Sequence, residues 1–253
     1  MAMHTIRRML ARMTLALGMA ALLSGCLLAP GSFVSTLDLR KDGQFSFTYS
    51  GEISMVGLSR LSQMADNEEG GGEQAGGDDG EAFKALLGGI DPADPAAGEE
   101  IAGNLARQKG WNRVEYRGDG LFSVDFAIAS SMSHDFVFPL IEDLPMANNF
   151  VQAHLREGNV VRIEAPGFSA EGAGASPASG FLQAATMGGG EEEGETPSPL
   201  PELDGRFTIT TDAAILANNT DEGPQNVANG QQLSWVVNRR LQAAPMALIR
   251  LGE

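Results

Sequence analysis

The chain has 253 residues, 43% of them hydrophobic but 32 of them glycine and only 6% aromatic, which is enough for one sizeable core diluted by glycine-rich stretches. Its formal charge is −16, and the first 25 residues hold three arginines and no acid, so the remainder carries 14 basic against 33 acidic residues, a net of −19. Such a chain repels phosphate backbones and gains nothing from counterion release, which excludes nucleic acid as a partner. It also gains no electrostatic attraction to anionic lipid, so membrane association requires a hydrophobic device.

Residues 1–25 supply the address for that device. Arg7, Arg8 and Arg12 precede the apolar run MTLALGMAALL at 13–23, and the small residues Ser24 and Gly25 follow it. These are the three regions of a secretory signal peptide, and the apolar run is about half the ~20 residues that a spanning helix needs. The ending Leu23-Ser24-Gly25-Cys26 resembles the lipobox of bacterial lipoproteins, which implies cleavage between Gly25 and Cys26 and acylation of Cys26. Each buried methylene contributes about 0.8 kcal/mol, so a multiply acylated Cys26 is a stable anchor and the membrane is a partner through the acyl chains. Leu27, where an aspartate would signal retention in the inner membrane, points by the same resemblance to the outer membrane, facing the periplasm, if the source is Gram-negative. Cys26 is the chain's single cysteine, so no internal disulfide forms.

Beyond Cys26, residues 33–55 alternate in period two, with Phe45, Phe47 and Tyr49 on one face and Asp42-Gly43 between two runs, the pattern of a β-hairpin with its aromatic face inward. Residues 67–80, NEEGGGEQAGGDDG, contain nothing apolar larger than alanine and read as a disordered low-complexity insertion. Helices are expected on either side of it, at about 55–66 and 81–88. A third is expected from Asp94, with Pro95 in its first turn, Glu99 and Glu100 early, and a stop at Gly110.

Residues 111–130 form a second hairpin pattern around Gly118-Asp119-Gly120, and short strands are expected at 134–138, 148–155 and 159–165. From Gly167 to Pro201 the composition returns to glycine, serine, proline and glutamate, interrupted by Phe181-Leu182, and reads as a second disordered insertion. Strands resume at 205–219, 231–238 and 244–251. The fold class expected from this order is α+β: a mostly antiparallel sheet, half covered by two or three helices inserted after the first hairpin, with the two low-complexity loops. Residues 26–253 read as a single domain.

The stretch Leu37-Asp38-Leu39-Arg40-Lys41-Asp42-Gly43 soon after the lipobox cysteine, with the late Gly230–Trp235 strand and a final apolar strand, resembles the LppM-type domain of bacterial lipoproteins. The resemblance implies a lipid-anchored α/β domain, lipid-related binding as in some members, and no established catalytic set.

The residues that could carry chemistry are few. His134-Asp135 adjoins Ser131 and Ser133, but sequence neighbours on a strand do not face one another, so a polar strand-end cluster is the simpler reading than a triad. His154 reads as an ordinary sheet residue. His134 and His154 without a partner cysteine, and without His-x-His or His-Glu-x-x-His spacing, give no zinc site, and the acidic clusters lack the Asp-x-Asp-x-Asp-Gly spacing of a calcium loop. No metal or cofactor is expected. Asn218-Asn219-Thr220 matches a glycosylation triplet of little weight in a bacterial lipoprotein, and Trp111 and Trp235 read as core anchors.

These observations lead to a lipid-anchored, non-catalytic binding or assembly module whose partner is a lipid or another envelope protein. A roomy apolar cleft would favour a lipid ligand. An envelope hydrolase instead requires at least two of Asp119, Asp125, Asp135, Glu164 and Asp212 to converge in one pocket. A purely structural lipoprotein, with the acidic loops as solvated spacers, is the third reading.

Overall fold

The computed structural model describes residues 28–55, 94, 96–141, 148–169 and 202–252. The expected signal peptide, Cys26, the insertion 67–80, the expected helix at about 81–88 and residues 170–201 of the second insertion lie outside these, as does the helix expected at about 55–66 except for Met55, which is not helical but ends β2. The first hairpin forms as read: β1 (Leu28–Leu39) pairs antiparallel with β2 (Gln44–Met55). Gly43, at φ 84°, closes its turn in a conformation glycine reaches without strain, and its N–H donates to the Arg40 carbonyl at 2.9 Å. The register slips between Pro30 and Phe33, opposite Gly51, where a Cβ would lie 2.3 Å from the Ser32 carbonyl oxygen. That bulge fits because residue 51 has no side chain.

One α-helix, α1 (Ala97–Leu105), is present among the described residues. Asp94 fixes its start by accepting the N–H of Ala96 at its carboxylate (2.8 Å) and that of Ala97 at its carbonyl (2.9 Å). Glu99 and Glu100 sit in the first turn, where the helix dipole favours negative charge. The helix buries Ala97, Gly98, Ile101, Ala102 and Leu105, and Gly98 lets it close onto the Tyr116 ring. The second hairpin follows as β3 (Trp111–Gly118) and β4 (Leu121–Ser131), with Asp119 at φ 50° in the turn. Next come β5 (Phe136–Phe138), β6 (Val151–Arg156), β7 (Val160–Glu164) and a 3-10 turn at Pro166–Phe168. The last five strands are β8 (Asp204–Thr211), β9 (Ala214–Asn218), β10 (Gln225–Val227), β11 (Gly230–Asn238) and β12 (Met246–Arg250).

The strands build two sheets, a seven-stranded one in the order β10-β11-β8-β1-β2-β4-β3 and a five-stranded one in the order β5-β6-β7-β12-β9. All pairings are antiparallel except β1 with β8. Strands from both sides of residues 170–201 share each sheet, β8 beside β1 and β12 beside β7.

The expected α+β class is therefore corrected. The structure is mostly β, with one α-helix and one 3-10 turn among the described residues, and the face assigned to helices is covered by a second sheet. The physical reason is aromatic. Phe45, Phe47, Tyr49, Trp111 and Phe126 from the larger sheet meet Phe136 and Phe138 of β5 at centroid distances of 4.8–6.0 Å. Phe168 stacks on Phe33 at 4.3 Å and meets Phe207 edge-on at 5.4 Å. Rings of this size fill an intersheet layer that a short helix would leave open. The stretch 205–219 is likewise not one strand: at Asp212-Ala213 the chain passes from the larger sheet (β8) to the smaller (β9).

Phe138 is fully buried against Phe47, Tyr49, Trp111, Phe126 and Phe150. Phe138→Ala is expected to cost about 3–5 kcal/mol in urea unfolding, whereas Val34→Ala on the exposed face stays within about 0.5 kcal/mol. A loss below 1 kcal/mol at Phe138 would show that the two sheets do not depend on this ring.

Candidate functional site

Three regions could meet a ligand or a partner: the space between the sheets, a groove at one end, and the outer face of the larger sheet. A small cavity of about 10 Å³ lies between the larger sheet, α1 and Ile141, lined by apolar residues including Leu28, Met55, Leu105, Trp111 and Ile141. That volume is at the threshold for one water and far below the ~300 Å³ at which ligand pockets begin. Buried polar groups between the sheets are satisfied internally: the Tyr49 hydroxyl donates to the Glu52 carbonyl at 2.7 Å and Ser35 to the Thr48 carbonyl at 3.0 Å. Burial first, and the Glu52 charge second, push the Tyr49 hydroxyl's pKa well above its ordinary value. Tyr49 is thus a structural donor that stays protonated.

At the end of the molecule where β1 turns into β2, a groove of about 250 Å³ runs between the sheets, lined by Lys41, Asp42, Ser131, Ser133, Leu155, Asn159 and Leu251 among others. The Ser-His-Asp cluster read from the sequence lies beside it and divides into two pairs. Ser133 Oγ bonds His134 Nδ1 at 2.7 Å, whereas Asp135 is held by a different imidazole, His154, whose Nδ1 donates at 2.9 Å while its Nε2 meets the Gln152 amide oxygen at 3.1 Å. A triad needs one imidazole linking hydroxyl to carboxylate, and here two separate imidazoles take the two roles. The Asp135–His154 pair was not legible in the sequence, because it arises only from β5 lying alongside β6.

The five carboxylates on which a hydrolase reading depends do not converge. Asp119 sits in the β3–β4 turn. Asp125 takes Ser50 Oγ at 2.5 Å and Arg113 at 3.3 Å, and Asp135 holds His154. Glu164 pairs with Arg162 at 2.6 Å, and Asp212 accepts the Lys41 N–H at 2.7 Å. Each serves a different element. Among the described residues no three His, Cys, Asp or Glu side chains stand close enough to hold a metal ion. The glycosylation triplet is also engaged internally, since the Asn218 amide oxygen accepts both the N–H and the hydroxyl of Thr220. Trp235 is a buried anchor as read, its indole N–H donating to Asn219 at 3.0 Å, and Trp111 is buried with it in the core.

The outer face of the larger sheet is different in kind. In register across β11, β8, β1, β2 and β4 run Ser234, Thr208, Thr36, Thr48 and Ala127, with Thr36 and Thr48 hydroxyls 2.6 Å apart. The next row places Arg206 between Val236 and Val34, two valines that are 58% and 56% exposed. The face thus presents short hydroxyls, two exposed valines and a guanidinium on paired, rigid strands.

Gly25 and Cys26, the expected cleavage and lipidation residues, lie outside the described residues, and β1 begins at Leu28, two residues beyond Cys26. No helix among the described residues is long and apolar enough to cross a membrane. No protein-family model matches the chain and no curated protein matches it. Among solved structures it is similar to the NMR structure of the folded domain of the Mycobacterium tuberculosis LppM protein, at 15% identity and a TM-score of 0.32, covering 91% of this chain and 94% of that one. A likeness that distant does not establish a family.

The His154 hydrogen bond, ahead of smaller charge effects, holds the Asp135 carboxyl below its ordinary value. A lowered carboxyl stabilises the fold at pH above the unfolded-state value and loses that contribution as pH falls through the folded-state value. His154→Ala is therefore expected to raise the Asp135 midpoint toward that of an ordinary aspartate in an NMR titration. The stability difference between wild type and Asp135→Asn should vanish on the acid side of the same window. A midpoint unmoved by His154→Ala would refute the assignment.

Proposed function

We propose that this chain is a lipid-anchored envelope protein whose folded part is a non-catalytic binding or assembly module that engages another envelope protein through the outer face of its larger sheet. The observation that carries this reading is the aromatic layer the two sheets share, in which rings at centroid distances of 4.8–6.0 Å occupy the space where a lipid ligand would need a cleft. The dispersal of the five carboxylates supports the non-catalytic part. Val34 and Val236 flanking Arg206 on paired strands support the choice of face, since exposed apolar side chains beside an arginine suit protein contact.

The anchor follows from the Leu23-Ser24-Gly25-Cys26 ending, and the absence of an acid at Leu27 supports the outer membrane, if the source is Gram-negative. Acyl chains on Cys26 hold the domain at the membrane, leaving it to work by contact.

With a photo-crosslinking side chain at Val34 or Val236, irradiation of intact cells is expected to give one discrete protein adduct, absent when the same group replaces Leu216 on the smaller sheet. Equal, diffuse labelling from all three positions would refute the face. Separately, Cys26→Ser is expected to abolish acyl incorporation and to move the protein out of the membrane fraction. Retention in the membrane without acylation would refute the anchor.

A further inference from the structure

Strand registers sort the connections of both sheets to two ends of the molecule. At one end are the tight turn at 40–43, the turn at 157–159 and the last described residues, where Gly252 N–H donates to the Lys41 carbonyl at 2.7 Å and Leu251 N–H to that of Asn159 at 2.9 Å. At the other end β1 starts, Leu28 opposite Met55, and the Met55 N–H donates to Gly120 in the β3–β4 turn at 2.7 Å. β8 starts and β11 stops on the same side, Asp204 opposite Asn238. Ile141 brings the smaller sheet's chain to this end as well, since it lines one small cavity with Leu28 and Met55.

Distance then matters. Cys26 and Leu28 are two residues apart, so at ~3.3–3.6 Å per residue their Cα atoms are separated by about 7 Å at most. The polar layer on each side of a bilayer, from ~30 Å of hydrocarbon to ~40–45 Å overall, is of the same thickness. Because Leu28 already belongs to the folded sheet, no tether of useful length stands between the acylated residue and the domain. Leu140, next to Ile141, is 69% exposed, the most exposed large hydrophobic residue among those described.

We propose that this end of the molecule is a bilayer-contact surface, on which Leu140 seats in the lipid boundary of the membrane that holds Cys26. The proposal rests on the lipid-anchor reading and adds an orientation to it: the sheets stand on the membrane by their β1-start end, and the groove beside Lys41 and Asn159 points away. The contact is apolar. Arg239 and Arg240 lie just beyond β11, but Asp119, Glu202 and Asp204 lie at the same end, so the local charge gives no net attraction to anionic headgroups. Exposed leucine gains by entering the boundary region to the ~5–10 Å depth at which interfacial apolar groups settle.

The test uses the full mature chain purified from its membrane and reconstituted in vesicles of phosphatidylethanolamine and phosphatidylglycerol. Leu140→Cys carries an environment-sensitive fluorophore, and Asp42→Cys at the opposite end is the reference; the native Cys26 sulfur is blocked by its own thioether. The label at 140 is expected to shift to the blue and to be quenched by spin-labelled lipid, while that at 42 keeps its aqueous emission. Raised ionic strength should leave both unchanged. Water-like emission at both positions in protein that floats with the vesicles would overturn the contact surface and leave the anchor standing. A blue shift at 140 that disappears with salt would overturn its apolar character. Protein that does not float, with Cys26 reactive toward thiol reagents, would overturn the anchor and the proposal together.

Discussion

Everything in this molecule depends on one aromatic layer. Phe138, fully buried in a three-residue strand, touches rings from β2, β3 and β4, and Phe150 and Phe168 extend the contact to Phe33 and Phe207 on β1 and β8. Neither sheet could bury its inner face alone. The smaller one is made of strands of three to six residues, too short to stand without a partner surface. Packing rings against rings joins the sheets.

A protein that carries an apolar ligand inside keeps a cleft lined by side chains that do not meet, whereas here the facing side chains interdigitate and the internal hydroxyls are bonded to backbone. Outside that layer the larger sheet presents threonines, serines and two valines around Arg206, and the molecule has two ends of different character. One end is finished by tight turns. At the other, β1 starts at Leu28 opposite Met55, and Ile141 lines a small cavity with both.

Local pattern made half of this legible. The alternation around Phe45, Phe47 and Tyr49 and the Asp42-Gly43 turn located the first hairpin, and Gly118-Asp119-Gly120 located the second, because a two-residue period and a turn needing positive φ are both written within a few residues. The helix expected from Asp94 to Gly110 is shorter at both ends, since α1 starts at Ala97 behind the N-cap Ala96 and ends at Leu105. The second sheet was not legible. Its key rings, Phe138, Phe150 and Phe168, sit singly in short segments, and each meets Tyr49, a partner more than 80 residues away in the chain. Nor did the sequence expose the crossing at Asp212-Ala213, where alternation continues through a change of sheet. The candidate site shows the same division: Ser133, His134 and Asp135 are visible as neighbours, but His154 as the true partner of Asp135 requires the β5–β6 pairing.

The central claim is that the protein works by its surface while held by its own acyl chains, with nothing lodged between the sheets. The most direct measurement is the mass of the intact mature protein, taken under native conditions after purification from its membrane and again after solvent denaturation. The account predicts one covalent species beginning at Cys26 and carrying acyl groups, with the same mass in both states. A lipid bound one-to-one in the native state and released on denaturation would contradict it.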